Sequence, residues 1–325
     1  MTHPTDLVPA SFAERVAGYP PDTGEPGASY AVSGADWLRQ LPRLLADLLA
    51  QWSLVPDGPA RSGVCAVALP VTSPARTSGQ AVLKVTWPHV EAVTEHLALR
   101  RWDGNGSVRL LRADPARFAL LLERLDSDTD LDTLPDDQAC EVIGDLLATL
   151  SVPAIARVPT LSAYAARQLE KPPPTHALPR RFVDQARRLA GELGSEVDVD
   201  ARLLHTDLHY RNVLRQNALR QNVFRQIVIG ADRHAWLAID PKPMAGDPAF
   251  EVAPALWNRV EELGTGSTFR WNVRRRLEII CERAGIDEDR AKAWTIVRMV
   301  DNAEQEAPGS ARASFAVALV KAMND

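Results

Sequence analysis

Long apolar runs are missing from this chain. No segment reaches the ~18 residues that a membrane-spanning helix needs, so no membrane association is expected. The first residues, MTHPTDLVPASF, hold neither a basic stretch nor an apolar core, so no secretory leader is expected. Cysteine is scarce: Cys65, Cys140 and Cys281 are scattered and odd in number. This argues against a disulfide framework and fits a reducing, cytoplasmic location. Excess positive charge is lacking too. The net charge is −5 and the isoelectric point about 5.9, which argues against nucleic-acid partners. A mildly acidic protein tolerates a cationic small substrate without predicting one. What is present is ordinary: 325 residues, 46% apolar and 24% charged, as in a soluble globular protein long enough for two lobes.

Residues 1–30 carry Pro4, Pro9, Pro20, Pro21 and Pro26 with Gly18, Gly24 and Gly27, and read as an N-terminal arm with a short helix at 11–17. Apolar residues at i, i+3 and i+4 from Trp37 to Trp52 predict an amphipathic helix over 35–52. Strands are expected at 64–71 and 80–85, joined by a turn-rich 72–79. A helix at 90–102 ends at the DGNG turn, and a further strand pair follows at 108–111 and 118–122. That order gives a small antiparallel sheet with one helix on it, a first lobe over 31–122. Residues 123–126 read as the crossing, or hinge. From 127 to 325 the pattern is mostly helical, with helices expected at 139–150, 161–169, 180–193, 253–263, 269–284, 287–304 and 311–323. The KPPP run at 171–174 forces a break. The expectation is a bilobal α+β protein with a cleft between the lobes. The repeat LRQN within 213–226 reads most simply as a tolerated surface insertion.

Two stretches carry the chemistry. LLHTDLHYRNVL (203–214) puts Asp207 five positions before Asn212, and WLAIDPKPMAGDPAFE (236–251) puts Asp240 at the end of an apolar strand. Asp207 can accept a proton from a hydroxyl, while Asn212 and Asp240 can hold magnesium against phosphates. Each alone reads equally well as a turn residue; together they favour a phosphoryl-transfer site. His205 and His209 flank Asp207, so HxDxH can also be read as a metal cluster. For His205, a packed imidazole that shapes the loop is the preferred reading. Lys84, in AVLKV, is either a charge facing solvent or a cation for the α and β phosphates, held by Glu95 or, less favoured, Glu91. The turn at 61–66, with Ser62, is either a phosphate cover or a hairpin entry. The backbone of Glu123 and Leu125 sits where an adenine edge would be met. Asp247 reads as a helix N-cap. Asp301, Glu304 and Glu306 either face a cationic substrate or form a solvated helix face.

These residues carry a resemblance. HTDLHYRNVL and AIDPKPMAGDPAFE, with RSGVCAVALPV, ALRRWDGNGSVRLL, LLLERLD, RRRLEI and AWTIVRMVDN, resemble the aminoglycoside phosphotransferase family over about residues 7–325. The likeness is greatest to its streptomycin 6-kinase (aminoglycoside/hydroxyurea kinase) branch. The resemblance implies a protein-kinase-like fold and ATP-dependent phosphorylation of an antibiotic hydroxyl, in line and without a covalent enzyme intermediate. Streptomycin or a related aminoglycoside is the first expectation. A sugar, an amino alcohol or hydroxyurea is the alternative, and a monomer is favoured. By the same likeness Asp207 is the catalytic base, and Asn212 and Asp240 ligate Mg2+. Lys84 and Glu95 form the phosphate-binding ion pair, and Glu123 and Leu125 belong to the adenine hinge. There are departures. Thr206 stands where Gly or Trp is frequent, and Glu251 where Asp is usual. The 28 positions from Asn212 to Asp240 are more than the branch leads one to expect, and DNAEQEAPG lacks an expected aromatic residue.

Overall fold

The computed structural model describes residues 7–24, 30–73, 79–171, 178–217, 235–304 and 306–324. The LRQN repeat beyond 217, the KPPP prolines and most of the turn at 72–79 lie outside the described residues. The chain forms two compact units. The first holds the described residues to Gly104, then Val108–Leu125 and Asn217; the second holds Asn105–Ser107, Asp126–Gln216 and the described residues after 234. No helix among the described residues is long and apolar enough to cross a membrane.

In the first unit, helices α1 (Ala10–Ala17) and α2 (Gly34–Gln51) precede an antiparallel sheet. Its strands are β1 (Val55–Pro56), β2 (Arg61–Ser62), β3 (Ala66–Thr72), β4 (Gln80–Thr86), β5 (Leu110–Asp114) and β6 (Ala119–Glu123). They run in the order β1-β3-β4-β6-β5, with β2 paired to β3. Helix α2 starts because the Ser33 hydroxyl accepts the Asp36 N–H at 3.1 Å, an N-cap. Its Trp37, Leu41, Leu45 and Leu48 recur at helical spacing and are buried with Phe12 and Val16 of α1. Strand alternation supplies the other half of that core: Val67, Leu69 and Val71 from β3, and Ala81, Leu83 and Val85 from β4. Lys84, between two such residues, therefore projects from the opposite face. Helix α3 (Glu95–Trp102) is shorter than the 90–102 expected from sequence. Val90–Ala92 is a 3-10 turn, and the β-branched pair Val93 and Thr94 interrupts it, with Thr94 at φ −109 and ψ 0.

Two three-stranded sheets and most of the helices make the second unit. Strands β7 (Asp126–Asp130), β10 (Val213–Arg215) and β11 (Trp236–Ala238) form one sheet; β8 (Val152–Pro153), β9 (Arg202–Leu204) and β12 (Met244–Gly246) form the other. The helices are α4 (Asp136–Leu150), α5 (Leu161–Glu170), α6 (Arg180–Gly194), α7 (Ala253–Trp257), α8 (Gly266–Ala284), α9 (Glu288–Ala303) and α10 (Ala311–Asn324). The single helix expected over 253–263 is instead broken after Trp257, with Arg259 at φ 54. The cause is competition for its carbonyls. The buried Arg276 of α8 donates to the carbonyls of Ala255 at 3.4 Å, Asn258 at 2.8 Å and Arg259 at 3.1 Å, and Asn258 donates its amide to the Pro254 carbonyl. Arg276 also pairs with Asp136 at 2.9 Å and lies over the Tyr210 ring. The Tyr210 hydroxyl donates to Asp136 at 3.0 Å. The residue after His209 is thereby fixed to α4 and α8.

The α1–α2 contact depends on a residue with no side chain. A Cβ built on Gly34 would lie 1.8 Å from the Val16 carbonyl oxygen, while the Gly34 N–H donates to the Tyr19 carbonyl at 2.9 Å. Gly34→Ala must therefore push the two helices apart. It is expected to destabilise the chain by ~1–3 kcal/mol, read as a lower midpoint in urea unfolding.

Candidate active site

The loop at 205–212 leaves β9 and is set by His205. This ring is fully buried; its Nε2–H donates to the Ile239 carbonyl at 3.0 Å, and its Nδ1 accepts the Asp207 N–H at 3.3 Å. Burial pushes its pKa down to about 4, so the ring is neutral, as this pattern requires. Both nitrogens are thereby occupied in shaping the loop, which favours the packed-imidazole reading over a metal ligand. Among the described residues, no three or more His, Cys, Asp or Glu side chains gather as a metal site.

Thr206 follows in the left-handed region, at φ 59. A β-branched residue rarely adopts this conformation. Three contacts hold it. Its N–H donates to Glu251 Oε1 at 2.6 Å, its hydroxyl donates to the Lys242 carbonyl at 2.6 Å, and its carbonyl accepts from Arg298 at 2.9 Å. The Arg298 guanidinium is itself fixed between the rings of Phe250 and Trp257, at 4.3 and 4.9 Å. Glu251 is buried, and burial pushes its pKa up to about 7, opposed by the N–H groups of Thr206 and His205 and the charge of Arg298.

This scaffold directs Asp207, which is half-buried. The Asn212 amide nitrogen donates to the Asp207 carbonyl at 2.9 Å and to its Oδ2 at 3.3 Å. Both partners are acceptors, so the nitrogen faces Asp207 and the amide oxygen faces away. Lys242 Nζ stands 3.4 Å from the same Oδ2, and His209 Nε2 stands 4.0 Å from Oδ1. Burial lowers the His209 pKa, and its Nδ1 accepts the Arg211 N–H. Asp240 is brought alongside by backbone pairing. Val213 faces Ala238 in the β10–β11 ladder, and the Ile239 N–H donates to the Asn212 carbonyl at 2.9 Å. Asp240 then turns at φ 58 and is exposed. The three residues singled out from spacing thus come together in the second unit.

The other expected residues lie in the first unit. Lys84 donates to Glu95 Oε1 at 2.7 Å, with both side chains buried, whereas Glu91 is exposed in the 3-10 turn. Ser62 is exposed in β2, opposite Val67, and the Gly63 N–H is committed to the Ala66 carbonyl at 3.0 Å. The 61–66 turn is thus a hairpin entry. Glu123, at the end of β6, is buried; its carboxylate accepts the Arg109 N–H at 2.7 Å, and its own N–H donates to the Arg109 carbonyl at 3.0 Å. Leu125 is buried and ends the Val108–Leu125 segment of that unit.

Asp247 is an N-cap as expected, accepting the Ala249 N–H at 2.9 Å, and it also takes the Trp294 indole N–H and pairs with Arg290. Asp301, Glu304 and Glu306 are paired with cations of this chain. Lys171 pairs with Asp301 and, at 3.2 Å, with Glu304; the Tyr164 hydroxyl donates to Asp301 at 2.8 Å; Arg312 pairs with Glu306 at 3.3 Å. Sequence reasoning missed Lys242 and Arg298 and gave Glu251 no task. For Lys242 there was a signal, its place two residues after Asp240. For Arg298 the signal was weaker, an arginine among the apolar residues of AWTIVRMVDN.

Glu251 and His205 have opposite effects on stability. A carboxyl raised to about 7 contributes stability that is fully present below its ordinary value near 4.5 and lost as pH rises to about 7. An imidazole lowered to about 4 loses its contribution as pH falls from 6.5. Glu251→Gln cannot ionise. Relative to this variant, the wild-type chain is expected to lose stability from pH 5 to 7 and to change little above it, measured as urea midpoints across that range. A pH-independent difference would remove the buried-carboxyl assignment.

The profile of the family described as aminoglycoside/hydroxyurea antibiotic resistance kinase matches residues 51–308. A streptomycin 6-kinase of Streptomyces glaucescens is 39% identical over 289 residues, covering 85% of this chain and 87% of its own. A hydroxyurea phosphotransferase of Kitasatospora aureofaciens is 38% identical over 282 residues, covering 83% of this chain and 74% of its own. Among solved structures, a choline/ethanolamine kinase family protein of Mesorhizobium loti has a TM-score of 0.50 at 15% identity, covering 87% of this chain and 95% of that one. This last likeness concerns the fold alone, which is α+β and protein-kinase-like. By the extent of the profile match and the identity to its relatives, the chain belongs to the aminoglycoside/hydroxyurea antibiotic resistance kinase family.

Proposed function

We propose that this chain transfers the γ-phosphoryl group of ATP, with Mg2+, to a hydroxyl of a small-molecule antibiotic, streptomycin or a related aminoglycoside. The observation that carries this reading is the orientation of Asn212. With its nitrogen turned to Asp207, its amide oxygen is the atom left to join the Asp240 carboxylate. An amide oxygen and one carboxylate suit a hard, octahedral cation that keeps phosphate oxygens and waters as its other ligands. The residues therefore fit Mg2+, which when bound neutralises charge on the β and γ phosphates.

The chain's own residues supply the rest. Asp207 Oδ2 faces Asn212 and Lys242, so Oδ1 is the oxygen that receives the acceptor's proton. As the acceptor oxygen attacks the γ phosphorus, the bond from phosphorus to the bridging oxygen breaks and ADP leaves. In the first unit, Lys84, held by Glu95, is assigned to the α and β phosphates. The backbone of Glu123 and Leu125 is assigned to the adenine edge. Because the Glu123 N–H is committed to Arg109, Glu123 takes part through its carbonyl and Leu125 through its N–H. The three cysteines are free thiols, which fits a reducing, cytoplasmic location. A second reading is phosphorylation of hydroxyurea or another small metabolite, favoured by the 38% identity to the Kitasatospora aureofaciens enzyme.

A panel of streptomycin, other aminoglycosides and hydroxyurea, assayed for ADP release with phosphorus NMR of the product, tests the assignment. Phosphate on streptomycin is the expected outcome, and transfer to hydroxyurea alone would select the second reading. Asp207→Asn is expected to lower kcat by ~10²–10⁴ while MgATP binding, followed by calorimetry, persists. Asp240→Ala is expected to weaken MgATP binding itself. Near-normal turnover by Asp207→Asn would remove it as the base.

A further inference from the structure

We propose that Lys242 is a further catalytic residue, whose ammonium moves from Asp207 to the transferring γ-phosphoryl oxygens during the reaction. This inference rests on the phosphotransferase reading above.

The backbone of Lys242 is fixed on the loop that carries the base. Its N–H donates to the His205 carbonyl at 3.0 Å, and its carbonyl accepts the Thr206 hydroxyl at 2.6 Å. Pro241 and Pro243, both buried, flank it and restrict the chain to an extended path. The Cα is thus anchored beside residues 205 and 206. The side chain is 40% exposed, and its Nζ meets Asp207 Oδ2 at 3.4 Å. A four-carbon stem on a rigid anchor can swing its charge over several ångströms.

Position gives that charge its task. Lys242 lies two residues beyond Asp240, whose carboxylate is assigned to the phosphate-bound cation, and its ammonium lies at Asp207, which is assigned to the attacking hydroxyl. The γ phosphorus must pass between these two carboxylates. Negative charge there is spread over three equatorial oxygens in the transition state, and a cation brought to those oxygens offsets it. In the resting chain the ammonium helps Asn212 hold Oδ2, leaving Oδ1 for the proton. During transfer the acceptor oxygen bonds to phosphorus, the bond to the bridging oxygen breaks with its electron pair going to ADP, and the acceptor proton goes to Asp207. Lys242 keeps its proton throughout and neutralises the phosphoryl oxygens.

The test compares wild type with Lys242→Met, which keeps the length of the side chain, and with Lys242→Arg, which keeps the charge. Calorimetry is run with MgADP and with the magnesium complex of a β,γ-imido ATP analogue, and turnover is measured with streptomycin as acceptor. Lys242→Met is expected to bind MgADP as wild type does and the analogue roughly tenfold more weakly. Its kcat is expected to fall by ~10²–10³ with the acceptor KM little changed, and Lys242→Arg is expected to recover part of both losses. An unchanged preference for the analogue over MgADP in Lys242→Met overturns the proposal. So does an equal loss of both nucleotides, which would make Lys242 a structural support. A wild-type chain that binds neither nucleotide in a magnesium-dependent way defeats the phosphotransferase reading itself. That result is seen in the control before any variant is compared.

Discussion

The conformation of one peptide sets the direction of Asp207 in the second unit. Thr206 sits left-handed, where a β-branched residue costs ~1–3 kcal/mol, and the chain keeps it there with groups from three distant places. A carboxylate from 251, a carbonyl from 242 and a guanidinium from 298 each satisfy one polar group of this residue. If any of them relaxes, the next residue, Asp207, loses its direction. The buried neutral imidazole of His205 completes the arrangement by joining the loop to Ile239, and through it to the turn that exposes Asp240. Asp207, the proposed base, and the proposed cation ligands are therefore parts of one bonded frame.

That frame is fixed in turn to the helices by Tyr210. Its ring lies between Arg259 and Arg276, each about 5.3 Å from the centroid, and its hydroxyl shares Asp136 with Arg276. A buried guanidinium is tolerable only when its donors are met, and here carboxylate and main-chain carbonyls meet them. The same contacts end α7 early. One arginine thus both breaks a helix and anchors the loop that follows His209, which explains why the local sequence of 253–263 is a poor guide to its structure.

Some of this was legible in the sequence and some was not. Helices with a clear apolar stripe, such as α2 with Trp37, Leu41, Leu45 and Leu48, announce themselves because their burial follows their own periodicity. The two-residue strands β1, β2 and β8 were missed, since two residues show no alternation, and the three-residue β12 was missed as well. The end of α7 was missed because its cause lies 18 positions further on, in Arg276. In the site, Asp207, Asn212 and Asp240 could be read because their residue types and spacing already suit one reaction. Glu251, Lys242 and Arg298 act through main-chain atoms or across long separations, and no local pattern encodes such partnerships.

Asp240 shows what the proposed cation site costs the fold. At φ 58 it holds a backbone shape that glycine adopts freely and aspartate does not. Relief of that tension lies a single codon away, since aspartate and glycine codons differ by one base. A population of these chains screened for durability alone would therefore drift toward sturdier, inert descendants at this position.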